Sequence, residues 1–200
     1  HRLLSRDVHF KKLGLVIIDE EQRFGVKAKE HLKQHRAAVH VLAMTATPIP
    51  RTLHLSLADV RNISTIATPP PNRKATAIHI ARFDEEKIKK ALTDELRRNG
   101  QAYYVVNRIP LLYERQHMIK RLLPKARIDV AHGQMPAQEL AAVMHRFDEG
   151  ESDILIATTI IENGLDIPAA NTLIVDNAPH FGLAELYQLK GRVGRSDIPS

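Results

Sequence analysis

Three strings in this 200-residue chain combine residue types suited to phosphate and magnesium chemistry. An apolar run, Leu13-Gly14-Leu15-Val16-Ile17-Ile18, ends in Asp19 and Glu20. A carboxylate at a strand end can hold Mg²⁺, and a second beside it can orient or deprotonate a water. Solvated strand-end acids are the plainer reading, but Glu21 and Gln22 extend the pair to Asp-Glu-Glu-Gln, a rarer string. Toward the other end, Gln188-Leu189-Lys190-Gly191-Arg192-Val193-Gly194-Arg195 sets two arginines three apart among glycines. A planar guanidinium donates bidentate hydrogen bonds to phosphate and keeps its charge, and glycine lets backbone come close. Arg192 and Arg195 therefore suit arginine fingers on a γ-phosphate, with a basic surface turn as the alternative. The third string, Thr158 to Pro168, follows an apolar run and mixes hydroxyls, acids and Gly164. It can touch nucleotide and nucleic-acid backbone, or it can be a turn with Gly164 left-handed and Asp166 bonding its own backbone.

Positioning these strings requires strands that end where they begin. The run ending at Ile18 is short, β-branched and bounded by charge, which predicts a strand buried on both faces of a parallel sheet. Val39 to Met44 predicts a second strand ending at Thr45-Ala46-Thr47-Pro48, and Ser64 to Ala67 a third. Thr68-Pro69-Pro70-Pro71-Asn72 can continue neither strand nor helix, because its prolines lack donors and fix φ, so it reads as a linker. Beyond it strands and helices alternate. A strand Thr76–Ala81 precedes a helix from Glu85 with Asp84 as N-cap, Gly100 past its end and an apolar face of Ile88, Ala91, Leu92 and Leu96. Strands follow over 102–106, 127–131, 154–157 and 172–175, with helices over 113–123 and 137–147 and from Leu183. Alternation of this kind calls for parallel sheets with right-handed crossovers. Ligands of such sheets bind outside the carboxyl ends of the strands, which gathers Asp19-Glu20, Thr45-Ala46-Thr47, Asn107, His132-Gly133-Gln134 and Thr158-Thr159.

Composition sets the boundaries. Hydrophobic residues are 44% and charged residues 26% of the chain, and no apolar run reaches the roughly 20 residues that span a bilayer. The chain has no cysteine, which removes disulfides and thiolate metal sites, and its eleven histidines show no two-His-plus-carboxylate spacing. No signal-like start is present, and a cytoplasmic location is the expectation. A net charge of +6 suits a polyanionic partner. Residues 1–72 carry 11 Lys+Arg against 6 Asp+Glu, while 73–200 carry 18 against 17, a contrast that points to two units. Aromatic residues are 4% of the chain, too few for extended base stacking, which favours a grip on phosphates.

Taken in order, Asp-Glu-Glu-Gln at 19–22, Thr-Ala-Thr-Pro at 45–48, Thr158 to Pro168 and the string at 188–195 resemble motifs II, III, V and VI of superfamily 2 helicases. Arg23-Phe24-Gly25-Val26, the continuation Ile49-Pro50-Arg51-Thr52-Leu53, His132-Gly133-Gln134-Met135 and Phe181-Gly182-Leu183-Ala184 resemble the clade uniting transcription-repair coupling factors with RecG. The linker Ile66 to Pro70 and the Asp-Glu-Glu-Gln string are more similar to coupling factors. The resemblance implies an α/β fold with parallel sheets, the RecA-like helicase core of P-loop NTPases. Residues 1–68 would be the second part of a first RecA-like domain, 69–73 a linker and 74–200 most of a second, with ATP bound between the domains.

It also implies an ATP-dependent double-stranded DNA translocase that displaces stalled RNA polymerase and recruits the damage-recognition protein of excision repair, those partners binding through other domains. A RecG-like helicase that regresses forked DNA and a non-catalytic nucleic-acid-binding module are the alternatives. Asp19 and Glu20 would serve Mg²⁺ and water, Gln188, Arg192 and Arg195 the γ-phosphate, and Gly164 and Asp166 the nucleotide. Thr45 and Thr47 would couple hydrolysis to domain movement, and Arg51, Asn107, His132, Gln134 and Thr158 would contact DNA. No Gly-rich stretch ends in Gly-Lys-Ser/Thr, so the phosphate-cradling loop is not in this sequence, and the chain by itself is expected to hydrolyse little ATP.

Overall fold

A computed structural model describes residues 8–20, 39–45, 62–68, 76–162, 167, 169–194 and 200. The chain divides into two compact units, His1–Asn62 and Ile63–Ser200. In the first, strands β1 (Leu15–Asp19) and β2 (His40–Met44) run parallel in a register that pairs Ile17 with Leu42 and Asp19 with Met44. Ile18 is buried, whereas Leu15 and Ile17 on β1 and Leu42 and Met44 on β2 are exposed. The expectation of burial on both faces is therefore corrected for β1. Side chains alternate across a strand, and the face that carries Leu15, Ile17 and Asp19 is open.

The second unit is built on a four-stranded parallel sheet. Its elements are α1 (Glu85–Arg97), β3 (Gln101–Val105), α2 (Ile109–Leu122), β4 (Ile128–Ala131), α3 (Ala137–Asp148), β5 (Ile154–Ala157), β6 (Ala170–Val175) and α4 (Leu183–Lys190). The strands stand in the order β4-β5-β3-β6. Ala102, Tyr104, Ile154 and Ile156 pack on one face with Ile88 and Leu92 of α1 and Leu112 and Ile119 of α2. Tyr103, Val105, Leu155 and Ala157 pack on the other with Val143, Met144 and Phe147 of α3 and Leu189 of α4. Strands covered on both sides lose their period-2 alternation and read as the continuous apolar runs seen here. The three layers are the α/β RecA-like arrangement.

Local signals explain most of the boundaries. Asp84 caps α1, its Oδ1 accepting from the backbone N–H of Glu86 at 3.0 Å and of Lys87 at 3.3 Å, and Asn99, at φ 56°, turns the chain off the helix. Helix α2 starts at Ile109 rather than Tyr113, because Pro110 occupies its first turn, where a missing N–H costs nothing. The strands expected at Ser64–Ala67 and Thr76–Ala81 do not form. Both segments are described without a ladder; Ile66 and Ile80 are 95% and 97% exposed, and one backbone bond, Ala77 N–H to Ser200 O at 2.8 Å, ties down the second. Among the described residues no helix is long and apolar enough to cross a membrane.

Candidate functional site

In the first unit the acid box and the threonine segment meet. Asp19 ends β1 directly beside Met44, the last residue of β2. Glu20 follows at φ 51°, and its N–H donates to Met44 O at 3.0 Å. A left-handed glutamate is costly unless its surroundings hold it, and strain of this kind gathers at functional positions. Here the side chain is also held, with Glu20 Oε2 accepting from Thr45 Oγ1 at 3.3 Å. Sequence placed these three residues at two separate strand ends, and the parallel pairing joins them. Thr47 and Arg51 lie outside the described residues.

The donor set fits a magnesium ion carried with a nucleotide. Mg²⁺ takes oxygen ligands and commonly binds through one or two carboxylates plus phosphate oxygens. Asp19 supplies such a carboxylate on the open face of β1. No cluster of three or more His, Cys, Asp or Glu exists among the described residues, so phosphates and water would have to complete the coordination.

The second unit gathers a separate row of polar groups along one sheet edge. Register sets Val105 level with Ala157 and with Val175, and Ala157 level with Ala131. The four strands thus end together. Val106 N–H to Ala157 O at 2.9 Å, Thr158 N–H to Ala131 O at 3.2 Å and Asp176 N–H to Val105 O at 2.9 Å carry the pairing one residue further. Asn107, His132, Thr158 and Asp176 stand at or just past that line. Gln134 is exposed in the next turn, which Met135 N–H closes onto His132 O at 3.1 Å. A Cβ on Gly133 would lie 3.4 Å from Ile160 Cγ2, so this turn sits close against the short 3-10 helix Thr159–Glu162. Helix α4 packs on that same 3-10 helix, bringing Gln188 and, beyond Gly191, Arg192 to the same end of the sheet. Gly194, at φ 71°, turns the chain, and Arg195 lies outside the described residues, as do Gly164 and Asp166.

Two side-chain atoms in this row, Asn107 Oδ1 and His132 Nδ1, are buried without a hydrogen-bond partner. Protein interiors rarely leave such atoms unmatched, because each costs on the order of 1–3 kcal/mol. Beside them runs a network that sequence reasoning missed. Tyr104 Oη donates to Asp176 Oδ2 at 3.1 Å, Arg115 Nε pairs with the same oxygen, and the Arg115 guanidinium lies 4.5 Å over the ring of Phe83. Burial, reinforced by Asp176, raises the Tyr104 pKa; burial alone would lower that of Arg115, but the hydrogen bond and charge of Asp176 together with Tyr104 raise it on balance. Pro110, read as a first-turn residue, would have placed Tyr113 and Arg115 one and two turns into α2, facing this edge.

The family of the helicase conserved C-terminal domain matches residues 85–197. A transcription-repair-coupling factor of Staphylococcus haemolyticus (strain JCSC1435) is 53% identical over 196 residues, which cover 98% of this chain and 17% of that protein. One from Staphylococcus aureus (strain USA300) is 52% identical with the same coverage. The chain thus spans about a sixth of the length of the curated relatives it matches. Among solved structures, RecG bound to a three-way DNA junction superposes with TM-score 0.73 at 38% identity, covering 98% of this chain and 26% of RecG. Saccharomyces cerevisiae Dbp5 L327V bound to RNA and ADP BeF3 gives TM-score 0.64 at 17% identity over 100% of this chain and 55% of Dbp5, a likeness of fold.

Proposed function

We propose, from the premise that the chain belongs to the family of the helicase conserved C-terminal domain, that it is part of an ATP-driven double-stranded DNA translocase acting in transcription-coupled repair. One observation carries the reading: Glu20, beside Asp19 at the end of β1, accepts from Thr45 in a chain that matches coupling factors over 196 residues. Magnesium bound with ATP would neutralise charge gathering on the phosphates. Asp19 would hold the cation, and Glu20 would orient the attacking water. Thr45 holds the Glu20 carboxylate, so it and Thr47 are suited to sense the hydrolytic state. Gln188, Arg192 and Arg195 would donate to the γ-phosphate, with Gly164 and Asp166 at the nucleotide. Arg51, Asn107, His132, Gln134 and Thr158 would face the duplex, and the orphaned Asn107 Oδ1 supports a role that a ligand or water completes.

In the full-length protein the output would be displacement of stalled RNA polymerase and recruitment of the excision-repair damage-recognition protein, in the cytoplasm. A second reading, regression of forked DNA, is favoured by the likeness to RecG on a three-way junction. The test compares the full-length protein with its Glu20→Gln variant for ATP-dependent release of a stalled polymerase and for fork regression. Release lost in the variant supports the translocase. Regression without release selects the second reading, and neither activity with duplex binding retained leaves a non-catalytic binding module.

A further inference from the structure

The row at the carboxyl edge contains one exposed group that none of these roles uses. Tyr113, in the first turns of α2, is 46% exposed, and its hydroxyl lies 3.3 Å from His132 Nε2. The two rings meet edge to face, centroids 6.3 Å apart at 73°. His132 is half-buried, its Nδ1 is closed off from solvent, and its backbone N–H points at Met135 Sδ at 3.4 Å. Its only accessible ring nitrogen therefore faces Tyr113. A neutral imidazole donates from one nitrogen and accepts at the other, and a phenol can do both at once. With Nε2–H donating to Tyr113 Oη, the buried Nδ1 keeps an unmatched lone pair and the phenolic proton stays free to point outward; with the phenol donating to Nε2, that proton is consumed and the buried Nδ1 carries an unmatched proton. The first arrangement leaves a donor at the surface, and a phosphate ester, which only accepts, is the ligand it suits.

We propose that Tyr113 is the nucleic-acid backbone contact at this corner of the sheet and that His132 acts through it, as a positioning residue that orients the phenol. The inference rests on the reading that this edge faces a nucleic acid. It reassigns the outward role from His132 to a tyrosine on the neighbouring helix.

The experiment uses the full-length protein and measures duplex-stimulated ATP hydrolysis as a function of duplex concentration and of salt. Tyr113→Phe keeps the ring and removes the hydroxyl. It should raise the half-maximal duplex concentration about three- to tenfold, as loss of one hydrogen bond does. An uncharged donor releases no counterion, so the salt slope should stay as in the parent. His132→Ala should weaken binding similarly and add little to Tyr113→Phe, while His132→Gln, whose amide can donate to the same hydroxyl, should restore most of the affinity. Full affinity in Tyr113→Phe while Asn107→Ala and Gln134→Ala weaken binding overturns the inference and leaves the edge as the binding face. Full affinity in all of these variants overturns the reading of the edge itself, and the inference with it.

Discussion

At the residue scale the chain spends stability to hold particular groups in place. Glu20 occupies a left-handed backbone that glutamate disfavours, and its carboxylate is fixed by Thr45. If Glu20 orients the attacking water, Glu20→Gln should cut ATP hydrolysis by the full-length protein roughly 10²- to 10⁴-fold while nucleotide binding persists, as measured by single-turnover hydrolysis beside equilibrium binding. Asp176 holds Tyr104 and Arg115 together. Removing it as Asp176→Ala strands a part-buried guanidinium and leaves the buried Tyr104 hydroxyl without its acceptor, and urea unfolding should show a loss of about 2 kcal/mol. Tyr104 adds a pH signature. Its folded pKa is raised, mainly by burial, so the stability it contributes is whole below the ordinary tyrosine pKa of about 10 and fades as pH climbs beyond that value. Urea midpoints should hold steady between about pH 7 and 9 and fall above about pH 10, with a shallower fall in Tyr104→Phe.

At the element scale, ends and caps carry the energy. Asp84→Ala removes the acceptor for two N–H groups of α1 and should cost about 1 kcal/mol by thermal unfolding. Gly100→Ala should cost more. Its new Cβ would fall 1.8 Å from Glu95 Oε1, and that buried carboxylate cannot swing aside without leaving Arg98 and Thr172. Most elements were legible in the sequence: β5 at 154–157, the Asp84 cap and the apolar face of α1 stand as the pattern predicts. What pattern could not read was partnership. Thr76–Ala81 alternates like a strand, yet a strand exists only against a neighbour, and Ile78 and Ile80 meet solvent. The start of α2 was legible in Pro110 and passed over, and with it went Tyr113 and Arg115. Of the candidate site, Asp19, Glu20 and Thr45 were legible as strand ends, but their junction depended on β1 pairing with β2, which no local string encodes.

At the scale of the whole molecule, charge and topology divide the work. Basic residues exceed acidic ones by five in residues 1–72 and by one in 73–200, which puts most of the net attraction for a polyanion in the first unit. Duplex affinity of the full-length protein should therefore fall steeply with salt, on the order of 10³-fold between 50 and 200 mM if six or more phosphates are contacted, and filter binding across that range checks it. In the second unit the four strands stop level, and Asn107, His132, Gln134 and Thr158, proposed to grip a ligand there, lie at or beyond the last rung of the ladder. Exchanging one of those side chains leaves register and core untouched. A lineage carrying this sheet is thus free to drift in what it holds at that edge, while its framework stays under separate and stricter selection.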